Sequence, residues 1–425
     1  MINKTLGNIF KGDKVVWMVF FFLCLISVVE VFSASSSLTY KSGSYLAPML
    51  KHLGILIVGI FCMVVTLNIK CRYFKIVTPV LLIVSFGMLV WVLLFGSSTN
   101  DANRWISILG IQFQPSEIAK GAMVLATAQI LSAMQTPKGA DKHAIQYILI
   151  VGAFLIFPIL LENFSTAVLL CAVILMMMII GRVPASQIGK LLGVVMLMAV
   201  FFFSAIMMLG EDRQPKNTNL QMTEEVAKEQ DKENNSPRIF HRFDTWKSRI
   251  NKFLKSKEVA PEDIDLDKDA QVAHANIAIA SSNGIGKGPG NSVERDFLSQ
   301  AFSDFIYAII IEETGIIGAA FVAFLYITLL FRTGRIANRC ENNFPAFLAM
   351  GLALLLVSQA MFNMAVAVGL APVTGQPLPL VSKGGTSSII NCIYVGVILS
   401  ISRSAKKKKT DDGNTNDMKL ATSNI

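Results

Sequence analysis

The chain has 425 residues, of which 53% are hydrophobic and 16% are charged, and its mean hydropathy is +0.55. A soluble domain of this size cannot bury so much apolar surface, so the composition excludes a soluble globular protein and indicates a membrane protein. The net charge of +9 does not indicate a nucleic-acid partner, because the basic residues are dispersed at the ends of apolar runs.

Apolar runs of about twenty residues, the length that spans a bilayer as a helix, recur along most of the chain. The predicted fold is an all-α polytopic membrane protein with about ten transmembrane helices. The spans are predicted at residues 15–35, 50–68, 75–96, 115–134, 144–161, 164–182, 188–209, 304–331, 345–369 and 384–402. The resulting regions are 1–14, helices 1–7 in 15–209, a large loop in 210–303, helices 8–10 in 304–402, and a basic, disordered tail in 403–425.

Lysine and arginine residues give the orientation, because they accumulate on the cytoplasmic side of a membrane. The segments assigned to one side carry nineteen of them, and the short loops assigned to the other side carry four. We therefore place both termini in the cytoplasm and the large loop outside. The six cysteines and four histidines have no spacing typical of a disulfide framework or a metal site.

The large loop has three parts with different compositions. Residues 211–237 are charged and poor in bulky apolar residues, which predicts no stable structure. Residues 238–254, RIFHRFDTWKSRINKFL, predict an amphipathic helix that lies in the membrane interface or packs on the loop itself. The glycine-rich segment SSNGIGKGPGNS, residues 281–292, lacks the spacing of a nucleotide-binding loop, so a flexible turn is the favoured interpretation.

The first polar cluster at the end of a span is ANRWISILGIQFQPSEIAKG, residues 102–121. Lys120 is four residues after Ser116 and three after Glu117, so these side chains can share one face of the helix that follows. Lys120 falls inside the span, where a charge needs a partner. Arg104 and Trp105 precede the helix; a lipid-headgroup contact for Arg104 and an interfacial aromatic role for Trp105 are the alternatives to substrate binding.

The second cluster is SDFIYAIIIEETG, residues 303–315. A straight helix over residues 304–331 is about 42 Å long, whereas the hydrocarbon layer is about 30 Å thick. Asp304 then lies about 12 Å above the outer hydrocarbon boundary, at headgroup height. It is either a catalytic carboxylate or a helix cap.

Glu312 and Glu313 lie inside the same apolar run. They are about 100° apart on a helix, so we expect one of them to face the bundle and the two not to share a partner. Thr314 and Gly315 predict a bend in this helix.

The third cluster is GLAPVTGQPLPLVSKGGTSS, residues 369–388. Its three prolines and its Gly-Gly pair predict a non-helical, re-entrant approach to the membrane rather than a plain connecting loop. Ser382, Lys383 and the backbone of Gly384 and Gly385 form a candidate anion site. One candidate base, several cations and exposed donors on one face together favour an anionic, lipid-borne ligand.

These motifs resemble those of the SEDS family of cell-wall proteins, which contains FtsW, RodA and their sporulation paralogue. The family pattern RW(I/L)…QPSE(I/L)AK is matched by Arg104-Trp105-Ile106 and by QPSEIAK at residues 114–120. The G-x-G-x-G segment ahead of TDFIF…EELG…G is matched at residues 284–288 and by SDFIYAIIIEETGIIG. The P-x-x-G-x-x-LP-x-x-S-Y-G-G-S motif is matched by residues 372–386.

The resemblance implies a peptidoglycan glycosyltransferase that polymerises lipid II at the outer face of the cytoplasmic membrane with inversion. It implies Asp304 as the general base and undecaprenyl diphosphate as the leaving group, with or without a divalent cation such as Mg or Mn; the metal-binding residues are unknown. Lys120 either stabilises the leaving group or pairs with Asp304. The substrate-binding residues it implies are Arg104, Trp105, Gln114, Ser116, Glu117, Lys120, Thr166, Ser382, Lys383, Gly384 and Gly385, and Glu312 and Glu313 support them.

The chain departs from the family pattern at several positions. The family's PD(L/F)GTA is ENFSTA at residues 162–167, and the tyrosine of SYGG is Lys383. Gln359 and Asn363, with KGGTS in place of YGGSS, resemble the division-type FtsW more than RodA. The resemblance thus implies septal cell-wall synthesis with a class B penicillin-binding protein and other divisome proteins. A lipid II flippase and a non-catalytic divisome scaffold are the alternatives.

Overall fold

A computed structural model of the protein describes residues 11–34, 47–95, 97–99, 102–108, 111–209, 270–298 and 303–422. The predicted unstructured segment 211–237 and the predicted amphipathic helix 238–254 lie outside these residues. The described helices are α1 (Lys14–Ala34), α2 (Ala47–Asn68), α3 (Cys71–Phe95), α4 (Pro115–Ala133), α5 (Ala144–Glu162), α6 (Phe164–Ile180), α7 (Ala185–Leu209), α8 (Ala270–Ser281), α9 (Ile306–Ala337), α10 (Asn343–Ala367) and α11 (Thr386–Thr422).

The helices other than the short α8 coincide with the ten predicted spans. Within the described residues, α1, α2, α3, α5, α9, α10 and α11 are long and apolar enough to cross a membrane. Helix α6 and the first part of α7 are apolar but shorter. The protein is a multi-pass membrane protein, and the prediction of an all-α polytopic fold is confirmed.

Small residues allow the central helices to approach closely. Helix α11 packs along α2, α9 along α10, and α4 against both α3 and α10. A Cβ atom at Gly121 of α4 would lie 2.7 Å from the ring of Tyr394 on α11, and one at Gly351 of α10 would lie 2.7 Å from Val124 on α4. In a membrane, where helix association depends on van der Waals packing, such contacts hold the bundle together.

Two small sheets, which the sequence did not predict, occupy connections between helices. Strands β1 (Ser97–Thr99), β2 (Ala102–Ile108) and β3 (Ile111–Phe113) form an antiparallel sheet between α3 and α4. Strands β4 (Gln135–Thr136) and β5 (Gly139–Ala140) pair between α4 and α5. Most of these strands have only two or three residues, which is too short for a period-two pattern to be read from the sequence.

Helix α9 is not straight, because it is broken at Gly315. This residue has φ +70° and ψ −171°, and a Cβ atom on it would lie 2.5 Å from Gly284 O. The glycine-rich segment after α8 docks at the break, so it is an anchored turn rather than a flexible one. Its backbone hydrogen bonds run from Ile316 N to Gly284 O at 3.1 Å, from Lys287 N to Glu312 O at 2.9 Å and from Gly288 N to Glu313 O at 2.8 Å.

The bend predicted at Thr314 and Gly315 is therefore present. The docked turn supplies hydrogen bonds that the interrupted helix cannot make within itself. The height of 12 Å that a straight helix predicts for Asp304 does not apply to this broken helix, because the two halves of α9 need not share one axis.

Helix α11 continues to Thr422, and the disordered tail at residues 403–425 stays a prediction.

At the opposite end of α9 from Asp304, Asp13 joins three helices. It pairs with Arg332 of α9 (Nη2 to Oδ2, 2.8 Å), and its backbone N–H donates to Ser402 Oγ of α11 at 2.9 Å. Its Oδ1 accepts from Val15 N at 2.9 Å and caps the start of α1. Burial raises the pKa of Asp13, but the hydrogen bond from Arg332 and those from the backbone more than offset it, so the pKa lies below its ordinary value.

Candidate active site

Asp304 lies in the turn that precedes α9 and is half-buried. The cap position of α9 is Phe305, so Asp304 does not occupy the position that a helix-capping role would require. Ser303 Oγ donates to Asp304 Oδ1 at 3.0 Å. The backbone of this turn is held from two sides, since Asn363 Nδ2 donates to Asp304 O at 2.9 Å and Ser382 Oγ donates to Ser303 O at 2.6 Å.

The connection between α10 and α11 is non-helical, as the sequence predicted, and much of it is buried in the protein. Gln376 Nε2 donates to Thr166 Oγ1 of α6, and Gln376 O accepts from Asn363 Nδ2 at 2.7 Å. Ser382 Oγ also accepts from Leu378 N at 2.8 Å. The connection therefore forms a fixed wall that links α6 and α10 to the turn of Asp304.

Lys120 is fully buried and belongs to the interior of the site. Its Nζ lies 2.8 Å from Glu117 Oε1 and 2.8 Å from Gln359 Oε1 of α10. Gln359 Nε2 donates to Pro377 O at 3.1 Å, which extends this contact to the wall. The ammonium group thus pairs with Glu117 in this structure, rather than with Asp304, which was one of two alternatives for Lys120.

Glu117 has a second anchor, because its carbonyl accepts from the hydroxyl of Tyr394 on α11 at 2.5 Å. Ser116 Oγ and Glu117 Oε2 are buried and have no hydrogen-bond partner among the described residues. Gln114 is buried at the cap position of α4 and makes no side-chain capping bond. Substrate binding by these residues stays a prediction.

Arg104 and Trp105 lie on β2, in the sheet that leads into α4. Trp105 is opposite Ser97 of β1 in the antiparallel register. Their side chains are outside the described part of the structure, so their substrate contacts also stay predictions.

Glu312 is buried within α9 and binds the segment after α8. Its Oε1 lies 2.6 Å from Lys287 Nζ and accepts from Val293 N at 3.1 Å, and its Oε2 accepts from Ser292 Oγ at 2.5 Å. A carboxylate that accepts this many hydrogen bonds is tightly oriented.

Glu313 is buried beside it and binds the same segment. It accepts from Gly290 N at 2.9 Å, from Ser292 N at 3.4 Å and from Ser33 Oγ of α1. The expectation that the two glutamates would not share a partner is wrong. Residues 287–293 wrap around this part of α9 and contact both side chains, and Ser292 binds both of them. Backbone N–H groups of this segment donate to Glu312 and Glu313. In a phosphate-binding loop, such N–H groups would instead be free to bind the phosphate.

Lys383 is half-buried and follows Ser382 in the wall. Burial lowers the pKa of Lys383, and the nearby charge of Lys51 lowers it further, so an anion bound here would relieve both effects. Gly385, just before α11, has φ +56°, and a Cβ atom on it would meet open space. These features are compatible with the predicted anion site, which stays a prediction.

The family model described as "Cell cycle protein", for FtsW, RodA and SpoVE, matches residues 13–407. The chain belongs to this FtsW/RodA/SpoVE family. The probable peptidoglycan glycosyltransferase FtsW of Hahella chejuensis is 30% identical over 400 residues, covering 92% of this chain and 90% of that protein. The peptidoglycan glycosyltransferase MrdB of Escherichia coli K12 is 27% identical over 401 residues, covering 94% of this chain and 95% of that protein.

Solved structures have the same fold at lower identity. A chain from a peptidoglycan synthase complex, described as coordinating polymerization and crosslinking, matches with a TM-score of 0.66 and 21% identity, over 93% of this chain and 98% of that chain. The rod shape determining protein RodA of Thermus thermophilus matches with a TM-score of 0.61 and 19% identity, over 94% of this chain and 99% of that chain.

The amide side chains at the centre of this FtsW/RodA/SpoVE site were not predicted as site residues. Gln359, Asn363 and Gln376 join Lys120, Asp304 and Thr166 to one another through the wall. Gln359 and Asn363 are four residues apart on the apolar α10, and polar residues inside a membrane span are a signal for a functional site. Glu30 of α1 and His52 of α2 are also buried polar residues inside apolar spans, so the sequence marked them as candidate functional residues in the same way.

A divalent cation stays a prediction for this family member. Among the described residues, no group of three or more histidine, cysteine, aspartate or glutamate side chains could hold a metal ion. Asp304 could still share an ion with phosphate oxygens of a substrate, which is how Mg²⁺ is often held. We therefore derive no reaction step through a metal.

Proposed function

We propose that this FtsW/RodA/SpoVE family member polymerises lipid II at the outer face of the cytoplasmic membrane, with Asp304 as the general base. The protein is a peptidoglycan glycosyltransferase, as its relatives are named. The observation that supports the role of Asp304 is the clamp on the backbone of its turn: Asn363 binds the carbonyl of Asp304 and Ser382 binds the carbonyl of Ser303. This clamp holds a partly exposed carboxylate away from the cap position of α9.

In the proposed reaction, the carboxylate of Asp304 removes the proton from the 4-hydroxyl of the acceptor N-acetylglucosamine. The acceptor oxygen forms a bond to the anomeric carbon of the donor N-acetylmuramic acid. The bond from that carbon to the diphosphate breaks, and undecaprenyl diphosphate leaves with the electron pair. Arg104 and Lys383 supply positive charge for the leaving group. Lys120 acts from the interior by orienting Glu117 and Gln359.

We further propose that the protein works with a class B penicillin-binding protein at the division septum, with both termini in the cytoplasm. The assembly of a structural neighbour into a peptidoglycan synthase complex supports such a partner. The FtsW names of several relatives support the septal role, alongside the match to MrdB.

Polymerisation of lipid II by purified protein tests the role of Asp304. We expect Asp304→Asn to lower the rate at least about 100-fold, the lower range for loss of a general base. Asp296→Asn, at a carboxylate whose side chain is 51% exposed, is the matched control and should retain the wild-type rate. The assay is run with and without a class B penicillin-binding protein.

Normal polymerisation by properly inserted Asp304→Asn would refute the assignment of the base. Movement of lipid II headgroups across the bilayer by a wild-type protein that forms no polymer would instead support a flippase.

The metal prediction is tested in the same assay with a chelator. If a divalent cation takes part, removal of free metal should lower the rate at least about tenfold, and added Mg²⁺ or Mn²⁺ should restore it. An unchanged rate in chelator would refute the metal requirement and leave the role of Asp304 in place.

A further inference from the structure

Three residues with buried amide side chains are linked by hydrogen bonds, partly through backbone atoms, to the backbone carbonyl of Asp304. Asn163 Oδ1 accepts from Thr166 N at 3.3 Å, Thr166 Oγ1 accepts from Gln376 Nε2, and Gln376 O accepts from Asn363 Nδ2. Asn163, Gln376 and Asn363 are 3%, 3% and 1% exposed. Each amide keeps one polar atom with no hydrogen-bond partner among the described residues: Asn163 Nδ2, Gln376 Oε1 and Asn363 Oδ1.

Chemistry fixes the orientation of two of these amides. Asn363 faces two carbonyl oxygens, those of Asp304 and Gln376, so its NH₂ group must point to them and its oxygen must point away. Asn163 faces a backbone N–H, so its oxygen must point there and its NH₂ group is the open end. The chain therefore offers at least one open acceptor and one open donor.

An unpaired buried polar atom destabilises a protein, so a cluster of them indicates a site that a polar ligand completes. The open acceptor Asn363 Oδ1 disfavours an anion as the ligand, because an anion offers no donor to it. An open acceptor together with an open donor matches a secondary amide, which has one N–H and one C=O.

We propose that Asn163, Gln376 and Asn363 form a recognition site for the 2-acetamido group of the acceptor N-acetylglucosamine. This inference rests on the proposed function. The acetamido group and the reacting hydroxyl are on the same sugar ring, so the groups that bind them must lie within one ring's width of each other. Asn363 is next to the base in the structure, because its Nδ2 donates to the backbone carbonyl of Asp304 at 2.9 Å.

The test compares lipid II with an analogue that carries glucose in place of N-acetylglucosamine, using the full chain in lipid nanodiscs. Asn163→Ser is the selective variant, because serine keeps an oxygen that caps α6 and removes only the open NH₂ group. The matched control is Asn342→Ser, the same change at the exposed cap position of α10, far from Asp304 along that helix.

We expect Asn163→Ser to lower kcat/KM for lipid II by about tenfold or more while leaving kcat/KM for the glucose analogue unchanged. Asn342→Ser should change neither value. An equal loss with both substrates would overturn the inference, because it would show that the amides only support the fold or hold water.

The proposed function is judged separately. If wild-type protein forms no polymer, equilibrium binding of the two lipids to the nanodiscs replaces the rate measurement. A preference for lipid II that Asn163→Ser abolishes would then support the amide site, and equal binding of both lipids by the wild type would refute it.

Discussion

Lys120 illustrates how this membrane bundle retains a charge in its interior. The ammonium group is fully buried, and the bonds to Glu117 and Gln359 connect α4 with α10. Removing one partner of a buried ion pair leaves the other charge without compensation, which is more destabilising than the pair is stabilising. In the structure Lys120 is therefore a positioning group that acts through its neighbours.

We expect Lys120→Met to lower the free energy of unfolding by about 3–5 kcal/mol, measured by thermal unfolding in detergent. The double variant Lys120→Met with Glu117→Gln should recover part of this loss, because the uncompensated carboxylate is gone. Lys190→Met, at an exposed position of α7, is the control. A fully stable but inactive Lys120→Met would contradict the positioning role and favour direct contact with substrate.

The broken helix α9 and the segment docked on it form one unit. The break at Gly315 leaves backbone groups that residues 284–288 satisfy, and the side chains of Glu312 and Glu313 hold residues 287–293. Asp304 lies in the turn just before the half of α9 that carries these contacts. The segment after α8 therefore contributes to the position of the base through its contacts with α9.

Gly315→Ala tests this unit. A side chain at φ +70° is strained, and its Cβ would collide with Gly284 O, so we expect a loss of about 1–3 kcal/mol and release of the docked segment. Hydrogen exchange should then increase at residues 284–293, and polymerisation should fall. Gly193→Ala on α7, where a Cβ would meet no atom within 4 Å, is the matched control. Unchanged exchange in Gly315→Ala would refute the docking role.

The helices of the bundle are joined at both ends of α9. Near its start, Asn363 and Ser382 join α10 and the wall to the turn of Asp304. Near its other end, Asp13 joins α1, α9 and α11 through Arg332 and Ser402. Apolar contacts alone do not fix how far one helix is shifted along another. The hydrogen bonds and the ion pair at the two ends fix this axial register.

Asp13→Asn should lower stability by about 1.5–3 kcal/mol at neutral pH, since a hydrogen-bonded charge is lost. Because the pKa of Asp13 in the folded protein lies below its ordinary value, this stabilisation is present above the unfolded pKa of about 4 and is lost as the pH falls through the lower folded value. The difference between wild type and variant should therefore shrink as thermal unfolding is repeated at lower pH. Asp296→Asn should show no such difference, and a gap that does not depend on pH would contradict the linkage.

The positions of the long helices, the polar segments that hold the candidate site and the bend at Gly315 could be predicted from the sequence. Hydropathy indicates whether a segment lies in lipid or in water, and proline and glycine indicate where a helix starts or breaks. These signals depend only on residues that are close together in the sequence. The partners of Lys120, the docking of residues 284–293 and the amide chain that ends at Asp304 could not be predicted. They join residues far apart in the chain, such as Asp304 with Asn363, 59 positions away, and Ser303 with Ser382, 79 positions away. Only the packing of one helix against another brings such groups within hydrogen-bond distance, because no local pattern encodes which faces of two helices meet.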